Sequence, residues 1–157
     1  KLREKMPQIS LRTSLIVGFP DEREEDFNEL ENFLKDYKLD NVGVFKYSQE
    51  EGTPAAKMNN QIEEEIKEIR FEKLMRIQKE VVKDLNKLKI NNVYDTIIEG
   101  KKGNNYIGRS YDMAPEVDGN IIIKTNKELK NGDIIKVKII GAVEYDLIGE
   151  IYNEFSK

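Results

Sequence analysis

Two patterns of apolar and polar positions divide the chain near residue 90. Before that point, short apolar runs alternate with stretches of helical spacing; after it, short β-branched segments follow one another closely. The first run, Leu11–Phe19 (LRTSLIVGF), is mostly apolar and leads into Gly18, Phe19 and Pro20, which predicts a buried parallel strand. Asp21 and Glu24 then form a capping-box pattern that opens a helix. In that helix Phe27, Leu30, Leu34 and Tyr37 form one apolar stripe, with acids gathered in the first turn where the helix dipole favours them. Residues 41–48 (NVGVFKYS) predict a second strand, completing a βαβ unit. A loop containing Gly52 and Pro54 follows, and Asn60 with Glu63 gives another capping pair. The spacing then predicts a long helix over 61–88, carrying Ile62, Ile66, Ile69, Leu74, Ile77, Val81, Leu85 and Leu88, with a second stripe of Phe71, Met75 and Val82. Such a helix connects two domains more readily than it forms a coiled coil.

From Asn91 the segments 93–98, 106–109, 121–125, 134–140 and 145–151 read as five short strands. Lys101–Asn105, Asp118–Gly119 and Asn131–Gly132 lie between them, and the Asp-Gly and Asn-Gly pairs suit the positive φ of tight hairpin turns. Five strands at this spacing predict a small closed or nearly closed barrel of the OB type.

Charge changes the picture in one respect. Residues 1–90 hold 17 Lys and Arg against 19 Asp and Glu, residues 91–157 hold 9 against 11, and the whole carries −4. A phosphate-binding surface usually shows as a basic excess, so the balance favours a neutral or basic partner, with a locally basic face left open. The chain has no cysteine and no histidine, so it forms no disulfide and offers no ordinary ligand set for zinc or an iron–sulfur cluster. No apolar run approaches the ~20 residues of a membrane span, and KLREKMPQIS lacks the pattern of a signal peptide.

Candidate chemistry is sparse. Ser14, Ile16, Gly18 and Asp21 sit at the C-terminal end of a parallel strand, the catalytic edge of α/β barrels, where Gly18 either admits a ligand or only shapes the turn. Phe45, Tyr47 and Ser48 end the second strand on the same edge, flanking a planar ligand or filling the core. In the barrel, Arg109 and Tyr111 either meet a partner or belong to a connection shaped by Pro115 and Gly119. No acid/base dyad and no nucleophile beside a base is present, so no catalytic residue is assigned.

In chain order LRTSLIVGFPDE, VFKYSQEEGTPAA, the long helix, IGRSYDMAPEVDG and GAVEYDLIGE resemble the C-terminal half of the RimO family. These are ribosomal-protein aspartate methylthiotransferases, a branch of the radical S-adenosylmethionine (SAM) enzymes. The resemblance runs from about Leu11 to Glu150; TSLIVGFP is shared with tRNA methylthiotransferases, whereas GRSYDMAPEVDG is much more specific to the RimO branch. It implies an α/β + β chain: the last strands and helices of a radical-SAM partial TIM barrel over 1–90, then a five-stranded OB-like antiparallel TRAM barrel over 91–157.

The resemblance also implies an activity. The full-length family protein uses SAM and two [4Fe–4S] clusters to methylthiolate the β-carbon of an aspartate in small-subunit ribosomal protein twelve, a basic protein, in the cytoplasm. It implies cofactor contacts at Arg12, Ser14, Ile16, Gly18, Phe45 and Tyr47, and substrate recognition at Arg109, Tyr111, Glu116 and Asp118. Two departures stand out: Ser14 replaces the first glycine and Asp21 the final glutamate of a GxIxGxxE-like strand, and the family's GFPGET is GFPDER here. With no cysteine, the cluster-binding motif is expected before Lys1, and the 157 residues alone are expected to be inactive and to bind no cofactor. Such a piece would leave a bare edge at Leu11–Phe19, open to self-association. Other partners that fit are the ribosomal subunit and, as alternatives, a tRNA for a tRNA methylthiotransferase or the protein or RNA target of a non-catalytic binding module; a membrane is not among them.

Overall fold

A computed structural model describes residues 1–152. The chain forms two compact units, Ser10–Val82 and a second made of Lys1–Ile9 together with the residues from Lys83 onward.

In the first unit, β1 (Arg12–Val17) and β2 (Asn41–Lys46) pair in parallel, with Arg12 opposite Asn41, Ser14 opposite Gly43 and Ile16 opposite Phe45. Helix α2 (Glu24–Tyr37) connects them, and most of α3 (Glu64–Leu88) lies in the same unit. Alternation along β1 sends Leu15 and Val17 to one face; with Val42 and Val44 they meet Phe27, Leu30 and Leu34 of α2 and Phe71, Leu74, Met75 and Ile77 of α3. The apolar stripe of α2 is therefore core-facing as expected, except that Tyr37 is exposed. Glu31 is buried in that helix instead, its carboxylate 2.5 Å from the Lys73 ammonium.

Helix α2 begins later than Asp21 suggests. Arg23 precedes it in extended conformation, and the Asp26 carboxylate accepts from both its backbone N–H (2.9 Å) and its guanidinium. Asp21 stands apart in the left-handed region (φ 68°), its carboxylate taking a hydrogen bond from Asn60. Asn60 thus does not cap α3, which starts at Glu64, and the Lys67 N–H reaches the Glu63 carbonyl (3.1 Å) as the first helical bond.

The second unit is a closed barrel in the order β3–β4–β5–β7–β6, formed by β3 (Val93–Lys102), β4 (Asn105–Arg109), β5 (Ile121–Ile123), β6 (Ile134–Val143) and β7 (Asp146–Ile151). Closure occurs between β3 and β6, with Val93 opposite Lys138 and Ile97 opposite Ile134. Ile98, Tyr106, Met113, Ile121, Ile123, Val137, Ile139 and Leu147 fill its interior. Register shifts between Ile98 and Gly100 and between Ile139 and Gly141 put bulges in the two longest strands, the bends a small barrel needs to close.

All five expected strands are present, but the barrel is mixed rather than wholly antiparallel: β5 and β7 run parallel, Ile121 opposite Leu147. Asn131–Gly132 forms a turn with Gly132 at φ 91°. Asp118–Gly119 is no tight hairpin. It ends the long connection from β4 to β5, and a Cβ on Gly119 would lie 2.0 Å from the Tyr145 carbonyl oxygen, so close approach of two backbones excludes a side chain there. Helix α1 (Leu2–Lys5) belongs to this unit, where the Tyr111 hydroxyl donates to the Gln8 carbonyl at 2.8 Å.

Candidate functional site

The β1–β2 pair has one face on its core and one face open. Arg12, Ser14 and Ile16 alternate onto the open face of β1, beside Asn41, Gly43 and Phe45 of β2. Ile16 and Phe45, directly opposite each other, are 55% and 57% exposed. Two large apolar side chains at the C-terminal end of parallel strands, with small Ser14 and Gly43 behind them, form a flat apolar shelf. Such a shelf suits a planar group, and the polar Arg12 stands at its far end.

Gly18 and Tyr47 lie just past the strand ends. The Tyr47 N–H donates to the Val17 carbonyl (2.9 Å), prolonging the ladder, and its ring meets Phe19 edge-on with centroids 5.2 Å apart. Gly18 has φ 72°, and its N–H points into the Glu22 carboxylate, 3.0 and 3.1 Å from the two oxygens. The Arg70 guanidinium holds that carboxylate at 2.5 Å and reaches Glu24 at 3.2 Å. Lys67, one turn earlier on α3, lays its stem against Gly18: an added Cβ would sit 2.3 Å from Lys67 Cγ. Its ammonium lies 5.4 Å from the Tyr47 ring centroid and 2.6 Å from Glu64. Of the cofactor-edge residues expected from sequence, Arg12, Ser14, Ile16 and Phe45 therefore share one face, while Gly18 and Tyr47 form its rim. Asp21 is not among them, since its carboxylate faces Asn60.

Sequence reasoning missed Glu22, Lys67 and Arg70. Helical periodicity assigned the core-facing side of α3 to Ile66 and Ile69, yet these are 41% and 57% exposed, whereas Lys67 and Arg70 are 3% and 6% exposed. Long aliphatic stems cover apolar surface while their charged heads find partners, so a Lys and an Arg three apart can line a buried face. The signal available was their phase: Lys67, Arg70, Leu74, Gln78 and Val81 follow one helical stripe, and all are buried.

In the barrel, topology gathers the connections at two ends. The β3–β4 hairpin and the segment 124–133 lie at one end; the segment 110–120 and the β6–β7 turn lie at the other. Lys101, Lys102, Lys124, Lys127 and Lys130 lie at the first, outnumbering Glu128 and Asp133 there, and Asp112, Glu116, Asp118, Glu144 and Asp146 lie at the second. The nearly balanced charge of the barrel thus hides a separation of sign.

The acidic end is well braced. Met113 inserts into the barrel core, and Asp112 accepts from the Ser110 hydroxyl and from Lys89 (2.7 Å). Burial alone would raise the Asp112 carboxyl, but the hydrogen bonds from Lys89 and Ser110 outweigh it and hold it below the usual aspartate range. The Asp118 carboxylate accepts from the Ala114 N–H (2.6 Å), and Asp146 accepts from the Asn120 N–H (2.7 Å). What projects is Pro115, Glu116 and Val117, with Glu116 in the left-handed region (φ 61°). Tyr111 is exposed, with its hydroxyl on Gln8 and its ring 6.4 Å from Tyr94. Arg109 lies on β4, ion-paired with Glu99. Tyr111, Glu116 and Asp118 therefore share one end of the barrel, and Arg109, the last residue of β4, leads into it with its side chain paired to Glu99. Among the described residues no group of three or more Asp or Glu is placed to hold a metal ion, and no helix is long and apolar enough to cross a membrane.

The family model of the TRAM domain matches residues 90–151. Three proteins bearing the name ribosomal protein uS12 methylthiotransferase RimO are similar along the chain. That of Clostridium botulinum is 56% identical over 157 residues, covering 100% of this chain and 35% of the relative. That of Clostridium acetobutylicum is 54% identical over 157 residues, covering 100% and 35%. That of Clostridium tetani is 51% identical over 156 residues, covering 99% and 35%. The chain thus spans about a third (35%) of the length of the curated relatives it matches. With more than half of its residues identical from end to end, the chain belongs to the RimO methylthiotransferase family and carries a TRAM domain as its barrel.

Proposed function

We propose that these residues form the SAM-binding edge and the substrate-recognition barrel of an enzyme that methylthiolates an aspartate β-carbon of ribosomal protein uS12 in the cytoplasm. The observation that carries the first half is the pair Ile16 and Phe45, opposite each other on the open face of β1–β2 and both more than half exposed. Two large apolar side chains side by side on an open sheet face mark a surface that another apolar group covers. In this reading the adenine of SAM lies on that shelf, Ser14 and Gly43 leave room for the ribose, and Arg12 takes the methionyl carboxylate. Gly18 and Tyr47 close the rim. When bound, SAM and two [4Fe–4S] clusters supply the radical and the methylthio group. The clusters need thiolates that these 157 residues do not contain, so the chain's part is to bind and orient.

The second half rests on charge. The projecting end of the barrel, with Tyr111, Glu116 and Asp118, is acidic and suits a basic protein. Arg109, paired with Glu99 and partly exposed at the end of β4, belongs to the same recognition surface in this reading. A second reading has its own observation, the five lysines at the opposite end, which suit an RNA backbone and would serve a tRNA methylthiotransferase or a binding module.

The test incubates the reconstituted full-length protein with purified uS12 and, separately, with tRNA, reading both by mass spectrometry. Replacement of one hydrogen by a methylthio group on a uS12 aspartate is expected, with tRNA unchanged. A modified tRNA beside an unmodified uS12 overturns the assignment in favour of the RNA reading.

A further inference from the structure

Two cations of α3, one turn apart and both buried, converge on a single residue of the sheet edge. Lys67 fills the space over Gly18 with its stem and stands its ammonium over the Tyr47 ring. Arg70 reaches the same glycine through Glu22, whose two carboxylate oxygens both accept the Gly18 N–H. Neither is needed to fill a hydrophobic core, because an apolar side chain would do that at lower desolvation cost. What the arrangement does is fix the rim. Gly18 is held from its amide by Glu22 and from its Cα side by Lys67, and Tyr47 is held from its backbone by Val17 and from its ring by Lys67.

We infer that Lys67 is a positioning residue for the cofactor edge: it touches no reacting atom, and it sets the place of Gly18 and Tyr47. The inference rests on the reading above that this rim borders SAM. Removing the stem lets the Gly18 turn relax, and removing the charge leaves the Tyr47 ring with only its edge contact to Phe19; both displace the rim while leaving the shelf residues Ile16 and Phe45 on their strands. Partners that orient metal ligands cost about 10–100-fold in affinity when removed, and a displaced rim is expected to act at the lower end of that range.

The experiment uses the reconstituted full-length protein with Lys67→Ala, Lys67→Met and Lys67→Arg. Equilibrium dialysis reads SAM binding, and steady-state kinetics reads KM for SAM and for uS12 separately. Amide NMR of the 157-residue chain reports the Gly18 and Tyr47 environments independently of any cofactor. We expect Lys67→Ala to weaken SAM binding about tenfold, to shift both amides, and to leave the uS12 KM unchanged. Lys67→Met, which keeps the stem, should preserve the Gly18 amide and lose part of the SAM affinity, and Lys67→Arg should restore most of it. SAM binding within about twofold of wild type in Lys67→Ala, with the two amides shifted, overturns the inference alone. Wild-type protein that binds no SAM overturns the cofactor reading itself and this inference with it. Should Lys67→Ala fail to fold, the Met and Arg variants decide: equal affinity in both, matching wild type, refutes the role of the ammonium.

Discussion

Replacing Gly18 with alanine probes the contact between α3 and the end of β1 directly. Two costs add. An alanine held at φ 72° occupies the left-handed region, which costs about 1 kcal/mol. Its Cβ would also stand 2.3 Å from Lys67 Cγ and 3.2 Å from Lys67 Cβ, atoms near the root of a buried side chain that cannot simply swing aside. Overpacking of this kind costs about 1–3 kcal/mol. The total of about 2–4 kcal/mol is a large share of the roughly 5–15 kcal/mol that holds a domain folded. Gly52 supplies the control: it has φ 84° and no heavy atom within 4 Å of an added Cβ, so Gly52→Ala carries only the backbone cost of about 1 kcal/mol.

Urea unfolding of the 157-residue chain, followed by hydrogen exchange at the Val17, Val44 and Tyr47 amides, isolates the unit concerned. Gly18→Ala should lower the midpoint by about 1 M relative to Gly52→Ala. The double variant Gly18→Ala/Lys67→Ala should recover at least about 1 kcal/mol relative to additivity, because the obstructing stem is gone. If Gly18→Ala costs no more than Gly52→Ala, or if the double variant is simply additive, Lys67 does not pack on Gly18 as described.

The other expectations concern separate features. Arg70→Gln leaves the Glu22 carboxylate buried beside Gly18 without its guanidinium and should destabilise the Ser10–Val82 unit by about 3 kcal/mol, read by the same exchange experiment. Ile16→Glu alters an exposed side chain, so it should change stability by no more than about 0.5 kcal/mol in urea while abolishing SAM binding by the full-length protein; a large loss of stability would mean that the shelf is structural. Asp112 has a folded pKa below its unfolded one, so its stabilising contribution is present above the ordinary carboxylate range and fades as pH falls through the lowered value. The barrel's urea midpoint should therefore drop on acidification below about pH 4, and Asp112→Asn should remove that part of the slope and leave a lower plateau at neutral pH. Tyr111→Phe removes the hydroxyl bond to Gln8 and should speed amide exchange across residues 2–9 without altering the barrel strands.

Much of the architecture can be read from sequence because the relevant signals are local. The run ending in GFP, the stripe of Phe27 and Leu34, and the five β-branched segments each reflect a periodicity that burial enforces. The parallel pairing of β5 with β7 is not local: alternation fixes which face is buried and says nothing about strand direction. Helix α3 escaped for a different reason. Hydrophobic spacing counts Ile66 and Ile69 as core and Lys67 and Arg70 as surface, yet the buried side of that turn is made from the stems of the charged pair, satisfied by Glu64 and Glu22. The cap at Asp21 misled similarly, since Asp, Glu, Arg and a further Asp within six residues offer several competing patterns, and Asp26 with Arg23 won. On the open face, Ser14, Ile16 and Phe45 were legible as residues at the ends of two strands, whereas Arg12 came only through the family resemblance. Glu22, the carboxylate that secures Gly18, is the residue that GFPDER keeps in common with GFPGET after the proline, and the geometry of the turn shows what it does.

The open face of β1–β2 is the proposed seat of the SAM adenine. Photo-crosslinking of the reconstituted full-length protein with an azidoadenine analogue of SAM, followed by peptide mass spectrometry, addresses it most directly. Label is expected on the peptides that contain Ile16 and Phe45, displaced by unlabelled SAM and lost in Ile16→Glu. Displaceable label that appears elsewhere in the protein and spares residues 12–47 would contradict it.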